Sequence, residues 1–508
     1  SKQKSSQFFC PAAERAGGCG VVEPQSSAHS LSQKHIRRIE IIENKTFNFA
    51  YPAPWEPYPY IGTVCALRGR ERKENAMICE NISIGANGHL LFAGQDTVEL
   101  AKEYGTPLYL LDEDYIRHQC RVYQNAFKKH FGPTSRPLYA SKANSFKRIY
   151  EIMKEEGMGI DVVSSGEIYC ALQAGYDLSH AYFHSNNKTD ADIVYGMDNH
   201  VGYFVADNVE EIKAIEAEAA RRGIRQKVLL RLTPGIDPHT YEAIATGKVD
   251  SKFGSAIETG QAEEITVYTL AQPHVELMGF HCHVGSQVFG EDVFERAAVV
   301  MLEFIAAMKE KHGYMAQQLD LGGGYGVRYV ESDPYLDVDT KVGQVAAAIK
   351  EACARLRIDM PEIHMEPGRS IVGAAGMTLY TCGTVKKIPG YKNYVSIDGG
   401  MPDNPRFALY KANYTCLLAN KMNEPCDFEA SVVGRCCESG DIIQEHVMLP
   451  ASVGRGDTVA VCTTGAYNYA MASNYNRIPR APIVMLKDGK SYVAVRRETF
   501  ADMCACDL

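Results

Sequence analysis

Long hydrophobic runs are missing from these 508 residues: no stretch of 18 apolar residues occurs, so a membrane-spanning helix is not expected. The N-terminus lacks the basic-then-apolar layout of a secretory leader. A surplus of positive charge is missing as well. The 53 Lys and Arg stand against 62 Asp and Glu, for a net charge of −9, which argues against nucleic acid as the main partner. Regular cysteine spacing is also lacking. Sixteen cysteines are scattered from Cys10 to Cys506, and "CC" (436–437) and "CAC" (504–506) lack the two-residue gap of zinc knuckles. Disulfide scaffolds are short and denser in cysteine. These absences point to a cytoplasmic protein with mostly free thiols. What is present, 45% hydrophobic and 23% charged residues, is ordinary globular composition with length for two domains.

Residues 1–76 stand apart, with "YPAPWEPYPY" and the charge run "LRGRERKE" and no sustained period. They are expected to form a flexible extension, with Met77 a candidate start. From about residue 134, short apolar runs fall at "PLYAS" (137–141), "GIDVVS" (159–164), "AYFHS" (181–185), "GYFVA" (202–206), "KVLLRL" (227–232), "LMGFHCHV" (277–284), "QLDL" (318–321) and "EIHME" (362–366). Helical periodicity fills most gaps, as in "FKRIYEIMKEE" and "NVEEIKAIEAEAARRG". Eight strands alternating with helices predict a (β/α)8 TIM barrel over 111–374. After 375, runs such as "MTLYTCGTVKKI", "NYVSIDGG", "DFEASVVGRCC" and "DTVAVCTTGAY" read as strands, and "KDGK" as a hairpin turn. A mostly β domain, barrel- or sandwich-like, is expected over 375–508. Residues 77–110 are expected to contribute strands to it.

Barrel enzymes work at the C-terminal ends of their strands. The first strand ends "YASKAN". There Lys142 reads either as a solvated lysine or as a Schiff-base amine with a pKa tuned by burial. The sixth ends "HCHVGSQ", where His281 and His283 could pair on a metal, although no third ligand is evident. His283 fits equally as a ring stacked on a flat cofactor, with Ser286 beside a phosphate. The seventh ends "LGGGYG", whose Gly323 and Gly324 let backbone approach an anion. The eighth ends "MEPGRS", with Glu366 facing the mouth and Gly368 and Arg369 just beyond. One cofactor unites a lysine, a ring, a phosphate cradle and a facing acid: pyridoxal 5′-phosphate. Glu366 would pair with its pyridine nitrogen.

The motifs "YASKAN", "DVVSSGE" (161–167), "HSNNKT" (184–189), "RLTPGIDPHT" (231–240), "SKFG" (251–254), "HCHVGSQ", "LGGGYG", "MEPGR", "CESGD" and "GAYNYAMASNYN" (465–476) resemble those of diaminopimelate decarboxylase. That is a pyridoxal-phosphate family of the alanine-racemase-like fold, type III. The resemblance runs from about 78 to 500 in unbroken motif order. It implies decarboxylation of meso-2,6-diaminopimelate to L-lysine and CO2 through an aldimine and a quinonoid, the last step of lysine biosynthesis. Carried over by position, Lys142 is the Schiff-base lysine and His283 the stacking histidine. Ser286, Gly323, Gly324, Glu366, Gly368, Arg369 and Tyr467 would hold the cofactor, with no metal. Arg369, Arg406, Tyr410, Glu438 and Tyr467 would hold the substrate. The distal carboxylate calls for arginines and the distal ammonium for a glutamate. Cys437 is similar to the family's proton donor, a thiol of suitable ordinary pKa.

In that family "CESGD" of one subunit completes the site of the other, which implies a homodimer with shared active sites. Cys436, the extra cysteine, reads as a small strand residue, facing opposite to Cys437. Three rival readings remain. One is a sister decarboxylase of the same fold acting on ornithine, arginine or carboxynorspermidine. The others are an inactive dimer-forming regulator and a zinc hydrolase.

Overall fold

The computed structural model describes residues 77–236, 250–290 and 292–508. The expected N-terminal extension and the end of "RLTPGIDPHT" lie outside the described residues.

Eight parallel strands close a ring: β1 (Arg136–Ala140), β2 (Gly159–Val162), β3 (Ala181–Phe183), β4 (Tyr203–Ala206), β5 (Gln226–Thr233), β6 (Val275–His281), β7 (Gln318–Asp320) and β8 (Glu362–Met365). Each pairs with the next in register, and β8 returns to β1 with His364 opposite Arg136. The eight apolar runs are these strands, buried because helices cover their outer faces. The helix Val209–Arg222 shows how sequence sets an end. Asn208 accepts the Glu211 N–H, and Gly223 closes the helix at φ 66°. A large core of buried side chains joins the ring to its helices.

The second sheet runs β9 (Gly376–Lys387), β10 (Asn393–Ile397), β12 (Cys426–Val433) and β13 (Ile442–Pro450) to one side. On the other side of β9 lie the strand Leu108–Asp112, β15 (Ile483–Lys487) and β16 (Lys490–Val495). β14 (Thr458–Cys462) pairs with β9 and with β11 (Cys416–Leu418). The hairpin turn between β15 and β16 is Asp488–Gly489, both at positive φ, as "KDGK" requires. A three-stranded sheet over Ile82–Asp96 packs on the same apolar core through Leu90 and Phe92. Leu108–Asp112 belongs to this sheet, yet Asp112 also caps the first barrel helix by accepting the Tyr115 N–H.

One strand expectation fails. β12 ends at Val433, and Cys436 and Cys437 lie in the following loop rather than in the strand. The reason is Asp441, a buried carboxylate. Its Oδ2 accepts the Cys436 N–H at 2.7 Å and its Oδ1 the Met401 N–H at 2.5 Å. The Gly434 N–H donates to the Asp441 carbonyl at 2.9 Å. A Cβ on Gly434 would meet the Asp441 carboxylate at 2.2 Å, so only glycine allows the fold-back.

Candidate active site at the barrel mouth

Strand geometry gathers the chemistry. Side chains at the C-terminal ends of the barrel strands meet at one mouth, around a cavity of about 390 Å³. Eleven of the thirteen residues expected to hold cofactor or substrate or to donate the proton line it: Lys142, His283, Ser286, Gly323, Gly324, Glu366, Gly368, Arg369, Arg406, Tyr410 and Tyr467. Cys437 and Glu438 do not. Both are exposed, on the loop that Asp441 folds back. The Cys437 N–H is fixed by Asn476 Oδ1 at 2.9 Å, and the Gly440 N–H donates to Glu438 Oε1 at 3.1 Å. The loop is therefore held by hydrogen bonds, while the Cys437 and Glu438 side chains are exposed and do not line this chain's cavity.

Lys142 follows β1, in a single 3-10 turn (Ser141–Ala143). Water reaches its side chain within the cavity. Burial works against its ammonium, but the Asp161 and Glu366 carboxylates prevail and hold its pKa above the ordinary lysine value. Asp161, buried on β2, is raised by burial, against the pull of Lys142, to about 6. The His283 imidazole is kept neutral by burial and by the Lys142 and Arg231 cations. It is therefore a flat, uncharged ring in the cavity wall.

The glycine loop suits an anion. A Cβ on Gly323 would sit 2.1 Å from the Glu366 carbonyl, and one on Gly324, at φ 124°, 2.2 Å from the Gly285 carbonyl. Bare backbone is required there, and bare backbone can approach a phosphate closely. Ser286 Oγ, beside it, accepts from Arg369 Nη2 at 2.9 Å. A cradle without side chains, a neutral ring, a lysine amine and a buried acid fit pyridoxal phosphate in kind and in placement.

Two arginines make the other wall cationic. Arg369 Nη1 donates to the Tyr329 hydroxyl at 2.5 Å, and Arg406 Nη1 to the Tyr414 hydroxyl at 2.6 Å. The Arg369 guanidinium lies 4.6 Å from the Tyr467 ring centre, and that of Arg406 lies 4.8 Å from the Tyr329 ring centre. Burial alone would raise the Tyr329 pKa, yet the two guanidiniums bring it below the ordinary value. A wall of this charge can hold a carboxylate.

Several site residues escape sequence reading. Tyr329 and Tyr414 lie in loops without a motif. Asp161, Arg231 and Asp320 are single charges inside apolar strand runs, and that oddity was the available signal. His281 was weighed only as a metal partner of His283. Instead it joins His184, Asp320 and Glu366, all buried, with one donor atom from each within 4.8 Å of the others.

The family described as pyridoxal-dependent decarboxylase, pyridoxal binding domain, matches residues 113–373. Diaminopimelate decarboxylase of Bacillus subtilis (strain 168) is 42% identical over 422 residues, 83% of this chain and 96% of that protein. That of Staphylococcus aureus (strain COL) is 43% identical over 426 residues, 84% of this chain and 99% of that protein. Among solved structures, diaminopimelate decarboxylase from M. jannaschii in complex with L-lysine is similar at TM-score 0.78 and 31% identity. It covers 85% of this chain and 98% of that one.

Proposed function

Because the chain belongs to the diaminopimelate decarboxylase family of pyridoxal-dependent enzymes, we propose that the barrel-mouth cavity is its catalytic site. The protein decarboxylates meso-2,6-diaminopimelate to L-lysine and CO2, the last step of lysine biosynthesis, with pyridoxal 5′-phosphate as cofactor. The observation that carries the site assignment is the meeting of Lys142, Glu366 and the Arg369–Arg406 wall around one cavity.

Lys142 and Glu366 would hold the cofactor's two reactive ends, His283 its ring face, and Ser286, Gly323, Gly324, Gly368 and Tyr467 the rest. The bound cofactor supplies an electron sink for the pair left when the Cα–CO2 bond breaks. Arg369, Arg406 and Tyr410 bind the distal carboxylate of the substrate, and Glu438 its distal ammonium. This fixes which of the two amino-acid ends reacts. Orientation of this kind can supply several kcal/mol of barrier reduction, up to about 7–11 for ideal alignment. The Cys437 thiol holds the proton that Cα receives after CO2 leaves.

Cys437 and Glu438 are exposed, outside the lining of this chain's cavity, on a loop held within its own chain. We read them as serving the cavity of a second copy, in a homodimer with shared active sites. We also read 111–374 as the cofactor barrel and 77–110 with 375–508 as the β domain. Among the described residues no helix is long and apolar enough to cross a membrane, and we place the enzyme in the cytoplasm. The test is CO2 release from meso-diaminopimelate, with ornithine and arginine as controls. Turnover of a control without turnover of diaminopimelate would overturn the assignment.

A further inference from the structure

Glu366 is surrounded in an unusual way. Its backbone is pinned, its N–H donating to the Gly322 carbonyl at 2.9 Å. Its side chain has His184 Nε2 2.9 Å and His281 Nε2 3.4 Å from one oxygen, Oε1. The two imidazoles meet edge to face, with centroids 4.8 Å apart. Asp320, 0% exposed, closes the group from β7, with its Oδ1 accepting the Gly322 N–H at 2.9 Å. These are costly groups to bury. His184 Nε2, His281 Nε2, Asp320 Oδ2 and Glu366 Oε1 make no well-aligned hydrogen bond as they stand. Ser185, directly after His184, sits at φ 144°, a backbone conformation that a non-glycine residue keeps only where its surroundings impose it.

We infer that His184 and His281 are positioning residues for Glu366. Their Nε2 atoms lie 2.9 and 3.4 Å from Oε1, and on aligning their N–H groups with that oxygen they fix the carboxylate in charge and direction, with its second oxygen left for the pyridine nitrogen of the cofactor. The inference rests on the reading that Glu366 faces that nitrogen. A neutral imidazole suits the task, because it donates without adding charge that would compete with a protonated pyridine. Burial keeps His281 neutral, lowering its pKa to about 3. Asp320 is raised well above the ordinary carboxyl value by burial and by Glu366, whereas Glu366 is held well below it, His184 and His281 outweighing its own burial.

The test compares His281→Leu, His281→Gln and Glu366→Gln with a control, His364→Gln. The control is another buried barrel histidine, bonded to the Arg136 carbonyl rather than to Glu366. The readouts are the dissociation constant for pyridoxal phosphate, the bound cofactor's visible spectrum, and kcat and KM separately. H281L is expected to weaken cofactor binding, shift the spectrum in the direction E366Q shifts it, and lower kcat about ten- to a hundredfold at near-constant KM. H281Q, whose amide can donate, is expected to recover most of this. Equal losses in H281L and H364Q would mean general core damage and overturn the proposal. So would stoichiometric divalent metal on the purified protein that is lost in H281L. Full cofactor binding and an unshifted spectrum in E366Q would instead sink the placement of Glu366 itself.

Discussion

Lys142 and the Cys437–Glu438 loop are the two halves of one proposed site, and their surroundings are opposite. The lysine amine is ringed by β-strand ends, and buried Asp161 and Glu366 shift its titration. Cys437 and Glu438 lie exposed, on a loop that Asp441 ties down through backbone N–H groups. The difference teaches that a barrel can tune a group by itself, because closure brings charged side chains from several strands around it. An exposed loop can only aim its residues, and in the proposed dimer their environment would come from another chain.

The contrast can be broken most violently at the lysine. Lys142→Ala is expected to lower CO2 release by more than about a thousandfold and to abolish borohydride-trapped cofactor on the chain. Trapped cofactor in K142A would place the attachment elsewhere. Cys437→Ala is expected to cost about a hundredfold or more in kcat while leaving cofactor binding unchanged. Mixing the two inactive variants sharpens the point. Random reassortment into dimers should restore about a quarter of the native activity, since half the dimers then carry one intact site. No recovery, in a mixture shown to exchange subunits, would put both residues to work in the same chain.

Glu438→Ala should act more mildly, raising KM for meso-diaminopimelate roughly tenfold through one lost charge-assisted hydrogen bond. A pure kcat effect would move Glu438 from binding to chemistry.

The last effect is on stability and leaves activity alone. Asp403, buried in the β domain, is pushed up to about 7, chiefly by burial. The Gly400 N–H opposes this, and Asp398 and Asp441 add to it. Between about pH 4, where an unfolded aspartate titrates, and pH 7, the folded form holds the extra proton, so stability falls as pH rises. Asp403→Asn should flatten that fall by about 1–3 kcal/mol, read from denaturant midpoints at pH 5 and pH 8. An unchanged slope would acquit Asp403.

The same contrast explains what the chain disclosed in advance. The eight barrel strands were legible because each must be apolar on both faces, and "KDGK" because its turn needs positive φ at two positions. "SVVGRCC" misled because an apolar run looks like continuing strand, while the residue that ends it, Asp441, lies beyond the run and acts through tertiary hydrogen bonds. Lys142 and Glu366 were visible at strand ends. The His184–His281–Asp320 group was not, because its members come from different strands and become neighbours only when the ring closes. The Arg369–Tyr329 and Arg406–Tyr414 contacts bridge loops whose meeting no local period encodes.

The strand Leu108–Asp112 has a consequence for how the chain is made. It lies between β9 and β15, pairing Leu108 with Leu379 and Tyr109 with Ile483. A ribosome delivers it early and its partners late. Throughout synthesis of the barrel, an apolar strand with two open edges waits beside the first barrel helix, which its own Asp112 caps. Such edges invite pairing with other nascent chains. Expression yield should therefore depend on how quickly the last hundred or so residues arrive. Slowing translation there, or raising temperature, should send this protein into aggregates before it loses any activity once folded.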